Sequence, residues 1–77
     1  MEMEDKILSY VKEKRDLLSK EYGEAKVDEV EEKLKPRRQS LLIGIRVHIA
    51  KKDLKDAKKT VDEFFELMRK EIVRSFN

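Results

Sequence analysis

The chain of 77 residues contains no cysteine and no tryptophan, a single proline, two glycines and one histidine. Each scarcity excludes a class of chemistry. Without cysteine there is no disulfide staple, and a lone histidine argues against a zinc site built from protein ligands alone. Gly23 and Gly44 each stand apart, so there is no glycine-rich phosphate loop. The longest nearly apolar run, residues 41–50, is interrupted by Arg46 and His48 and falls far short of the roughly 20 residues of a membrane span.

Charge is what the chain has in abundance: 47% of its residues are Asp, Glu, Lys or Arg, against one Asn and one Gln. This Lys/Glu-rich composition matches the drift seen in hyperthermophile proteins, and a thermostable protein is expected from it. The start, Met1-Glu2-Met3-Glu4-Asp5, is acidic where a signal peptide is basic and then apolar, so a soluble, cytoplasmic protein is expected. A chain this short buries only roughly 60–65% of its unfolded surface. Oligomerisation or dense helix packing must supplement so small a core.

The organisation is that of one helical domain, residues 1–77, with a loop near 35–40. Pro36 disfavours helical geometry at residue 35, and Ser40 is a suitable N-cap for a helix beginning at residue 41. Before the proline, Ile7, Val11, Leu18 and Tyr22 share a face, flanked by Leu8 and Leu17. Lys14 fills the missing step with its aliphatic stem. Gly23 is placed to end that helix, and Val27, Val30 and Leu34 form a second short stripe. The spacing predicts helices at about 4–22 and 25–35.

After the proline two patterns overlap. Leu41, Ile43, Ile45, Val47 and Ile49 alternate as in a strand. Ile43, Val47, Ala50, Leu54, Ala57, Val61, Phe64 and Met68 follow a heptad seam, with Ile72 and Phe76 beyond. The helical rule covers 43–68 and is preferred. Within it, Leu42, Ile45 and Ile49 face away from the seam, and a helix apolar on two sides is expected to be buried on two sides. Asp53-Leu54-Lys55-Asp56 can also begin a fresh helix, and Thr60-Val61-Asp62-Glu63 matches a capping box. The expected fold is all-α: a small three- or four-helix bundle, or an αα-hairpin that dimerises into one. The alternative is α+β, with residues 41–50 pairing as a dimeric β-ribbon, since no other segment offers a lone strand a partner. That alternative loosely resembles the ribbon-helix-helix DNA-binding family. In the family, however, the strand opens the fold, whereas here forty residues precede Leu41, and membership is not implied.

No nucleophile–base or metal constellation is present. Residues 28–32 lack the alternation and glycine of a calcium loop, and any Ser-His pairing with His48 is arbitrary. The expectation is therefore a non-enzymatic binding module with no cofactor. The best signal is charge asymmetry. Residues 1–35 carry eight basic against eleven acidic side chains, whereas residues 36–77 carry eleven basic against six acidic. On one continuous helix His48, Lys51, Lys52, Lys55 and Lys59 form a basic stripe, preceded by Arg37 and Arg38 in the loop. Such a set can neutralise phosphates of a nucleic acid or another polyanion. The competing reading is a protein–protein adaptor or structural oligomer: the apolar faces of 41–50 meet a protein partner or a second copy, and the charges only solubilise.

Overall fold

The computed structural model describes residues 2–76, which form four helices: α1 (Glu2–Tyr22), α2 (Glu24–Lys33), α3 (Lys35–Ala50) and α4 (Leu54–Ser75). No strand occurs among the described residues, so the chain is an all-α bundle and the β-ribbon alternative falls. Glu2, Glu4 and Asp5 complement the positive end of the α1 dipole. Gly23 ends that helix at φ +92°, where its amide still donates to the Ser19 carbonyl. Nothing lies within 4 Å of where its Cβ would sit, so glycine is needed there for its backbone and not for space.

Three sequence expectations need correction. The loop expected at 35–40 is helix. Proline tolerates the first turn, and Pro36 occupies it, so it starts α3 instead of preceding it. Ser40 is accordingly no cap; its Oγ lies 3.4 Å from the Pro36 carbonyl oxygen, one turn back. Second, the helix expected to run unbroken from 43 to 68 stops at Ala50. Lys52 takes a left-handed conformation at φ 57°, its amide donates to Ile49 and the Asp53 amide donates to His48. This is the paired bonding of a Schellman turn, with lysine in the position usually held by glycine. Asp53 then caps α4 by accepting from the Asp56 amide at 3.0 Å. The capping-box match at Thr60 lies inside α4, where the hydroxyl donates to the Asp56 carbonyl one turn back.

The third correction concerns which face of α3 is core. The seam put Ile43, Val47 and Ala50 inward. Instead Leu41 and Ile45 are buried, and Ile43, Val47 and Ala50 are exposed. Because the Schellman turn restarts the helix, the phase of α4 sets nothing for α3. α4 itself matches its expected face: Ala57, Val61, Phe64, Met68 and Ile72 are buried. Phe76, which extended that seam, is exposed, stacked on Tyr22.

Ion pairs and hydrogen bonds between helices give the topology. Tyr10 bonds to Asp62 and Arg69 to Glu21, so α1 and α4 run in parallel, while α3 folds back antiparallel to both. The short α2 packs on α1 and on the C-terminal half of α4, burying Val27 and Val30 completely. The chain therefore reads as three legs, α1, α2–α3 and α4, with the middle leg interrupted at Leu34. Pro36 has no amide to donate toward Glu32, and its ring crowds that carbonyl. Beyond the interruption α3 stays packed on α4 but scarcely touches α1.

Candidate functional site

The parting of α1 and α3 leaves a groove of about 290 Å³. α1 contributes Leu8 and Val11 to one wall, α3 contributes Leu42 and Ile49 to the other, and Phe64, Phe65 and Met68 of α4 form the floor. The two phenylalanines pack edge to face, 5.6 Å between centroids at 82°, which fixes the floor. The helical periods explain these placements. Ile7 and Val11 point toward α4, and Leu8, one residue on, stands a quarter-turn away at the rim. Leu8 is 58% exposed and Leu42 46%, so both lips are apolar and open to water.

One end of the groove is closed by charge. Glu31 of α2 accepts from Arg15 of α1 at 3.1 Å and forms an ion pair with Arg38 of α3 at 2.9 Å, and Arg15 also bonds to Asp28. The bond from Glu31, together with the neighbouring carboxylates, raises the Arg15 guanidinium above even its usual range despite partial desolvation. The Glu31 side chain is largely shielded, so this bridge is better ordered than an ordinary surface pair. The other end is open. A second hollow, lined by Met3, Ala50 and Leu54, shares Ile49 with the groove. From Glu4 to Arg15 along α1 the channel is about 16 Å long at 1.5 Å per residue.

The basic residues singled out by the sequence do not form one stripe. Arg37 and Arg38 lie in the first turn and a half of α3, and Arg38 is held by Glu31. Lys51 and Lys52 lie in the turn at the other end, on the order of 20 Å away along the helix. Lys55 and Lys59 are exposed on the outer side of α4. His48 is not on the solvated basic face: it is half-buried against α4, with Nε2 3.2 Å from the Thr60 hydroxyl. The same hydroxyl lies 2.9 Å from the Asp56 carbonyl oxygen, so Thr60 ties His48 to the first turn of α4. The geometric premise of the stripe, a continuous helix through 48–59, is absent because the chain turns at 51–53.

Elsewhere the charges serve packing. Tyr10 donates to Asp62, which, with slight desolvation, raises the phenol above its ordinary value; Lys14 and Lys58 lie over its ring at 5.4 and 5.2 Å. Lys14 also pairs with Asp62 at 3.5 Å, linking α1 to α4. Among the described residues no group of acids and histidine is arranged to hold a metal, and no helix is long and apolar enough to cross a membrane. No protein-family model, curated protein or solved structure matches the chain, so the reading of the groove rests on its geometry.

Proposed function

We propose that this chain is a small non-enzymatic helical binding module, an adaptor whose groove between α1 and α3 receives an amphipathic helix of a partner protein. The observation that carries this is an apolar channel with unroofed lips, Leu8 and Leu42, over an aromatic floor. A helix laid there would have α1 and α3 at its sides and α4 behind it, completing a four-helix layer of ordinary packing. The channel length suits about 12 residues, long enough for anchors at i, i+4, i+7 and i+11. The exposed apolar row on α3 continues past the lip through Ile43 and Val47, which extends the contact surface beyond the groove. Contact with nucleic acid or another polyanion has less support, because Arg37 and Arg38 lie at the far end of α3 from His48, Lys51 and Lys52, because Lys55 and Lys59 lie on α4, and because Arg38 already has a carboxylate partner.

The test is a titration of isotope-labelled protein with a peptide carrying leucines at i, i+4, i+7 and i+11 in an alanine-glutamine background. Saturable shifts should centre on Leu8, Leu42, Ile45 and Phe65. The double variant Leu8→Glu, Leu42→Glu should remain folded, because both residues are exposed, and should lose those shifts. Shifts that fall instead on the Lys51–Lys59 region, or persist in the double variant, would remove the groove as the binding site.

A further inference from the structure

Resting on the docking of a partner helix in the groove, we infer that this helix carries acidic residues along one edge, which meet α3 while its apolar stripe enters the groove. α3 has no carboxylate anywhere in its length, Lys35 to Ala50. Two guanidiniums stand on its groove side, Arg38 and Arg46. Arg38 is held by Glu31, whereas Arg46, two turns further along and exposed, takes part in none of the ion pairs among the described residues. It sits beside Leu42, where a carboxylate flanking an apolar anchor would arrive. On the opposite wall Arg15 is already engaged by Glu31 and Asp28 at the closed end, and the other charged residue of α1 lining the groove is an acid, Glu4. The groove therefore selects a helix with acids on the α3 edge and none required on the α1 edge. Charge complementarity of this kind supplies specificity and association rate on top of apolar burial.

The same charges disfavour a second copy as the occupant. Leu42, Ile43 and Val47 place three of the exposed large apolar residues on α3, and pairing two α3 helices through them sets Arg46 against its equivalent with no acid on either helix to offset it. The acidic helix of this chain is α2, but its apolar residues Val27 and Val30 are fully buried in the core.

The experiment uses three peptides with the same leucines and one edge made Glu, Gln or Lys. Binding is read by fluorescence anisotropy at low and physiological salt. The Glu peptide should bind about threefold to tenfold tighter than the Gln peptide at low salt, with the Lys peptide weakest, and salt should compress the differences. Arg46→Glu should reverse the order of the Glu and Lys peptides, with the Gln peptide between them; an unchanged order would overturn the acidic inference. Equal binding of all three would overturn the acidic inference and leave the docking reading intact. Failure of all three would overturn both. Sedimentation of the free chain completes the test: a monomer is expected, whereas a dimer that Leu42→Glu dissociates and peptides compete with would make the occupant a second copy.

Discussion

Ile43 and Ile45 lie two residues apart in α3, yet Ile45 is 6% exposed and Ile43 is 64% exposed. Substituting each by alanine separates three architectures with one kind of change. Ile→Ala removes three carbons, worth about 2.4 kcal/mol of transfer free energy if fully buried. At Ile45 nearly all of that applies. The residue borders the groove, so little closed cavity forms, and the loss should lie at the low end of the roughly 2–5 kcal/mol range for such changes. Alanine's better helix propensity returns a few tenths of a kcal/mol, leaving about 2 kcal/mol. At Ile43 about a third of the side chain is covered, and the same propensity gain brings the net loss to about 0.5 kcal/mol or less. For a domain of this size each kcal/mol moves Tm by about 4–8 °C, so thermal unfolding followed by circular dichroism should fall by roughly 8–16 °C for Ile45→Ala and by under about 4 °C for Ile43→Ala. A β-ribbon would place both side chains on one face and make the losses similar. A seam helix running through 43–68 would make Ile43→Ala at least as costly. Either ordering would refute a helix α3 that turns Ile45 inward and Ile43 to solvent.

The remaining predictions concern the backbone and the caps. Lys52→Gly should raise stability by up to about 1 kcal/mol, since glycine adopts the left-handed position without the strain lysine carries there; chemical denaturation measures it. Gly44→Ala should also stabilise, by about 0.5–1 kcal/mol, because the added Cβ would meet only the Thr60 methyl at an ordinary 3.7 Å while helix propensity improves; a loss would mean that α3 and α4 pack more tightly than described. Asp53→Ala should lower Tm at neutral pH. Acceptance of the Asp56 amide holds the Asp53 carboxyl below its ordinary value, so its contribution is present above the unfolded pKa near 3.9 and is lost as pH falls through the lower, folded value. The wild-type and variant Tm curves should therefore converge in acid, and a gap that persisted there would mean that Asp53 acts otherwise than as a charged cap.

Much of the fold was legible because it obeys local rules. Gly23 reads as a helix end, and the 3-4 spacing through Val61, Phe64, Met68 and Ile72 reads as a buried face, because both depend on backbone preference and period alone. The break at 51–53 was hidden for an equally local reason. The sequence marks a helix stop most clearly with glycine, and here lysine takes the left-handed position, held by two amide bonds that no residue type announces. Without that stop, the period of α4 extends back into α3 and points Ile43, Val47 and Ala50 at a core that Leu41 and Ile45 occupy. Pro36 misled in the opposite direction. Its missing amide is equally compatible with a loop and with the first turn of a helix, and only the packing of Leu41 and Ile45 on α4 decides between them.

The groove was partly legible and its position was not. Residues 41–50 carry more apolar side chains than one helix face can use, so the sequence itself implies that a second surface must meet something. That surface contains Leu42 and Ile49, which line the groove, and Ile43 and Val47, which lie outside it. Leu8 reads only as a flanking residue of α1 until α3 is placed opposite it. What opens the channel is the interruption of the middle leg near Pro36: α2 packs on α1, whereas α3 scarcely touches it. The Arg15–Glu31–Arg38 bridge ties the two walls together at the closed end, where α1, α2 and α3 converge. On the proposed reading, a partner helix would therefore lie against walls that this bridge already holds in place, so its apolar stripe would meet a groove set before binding.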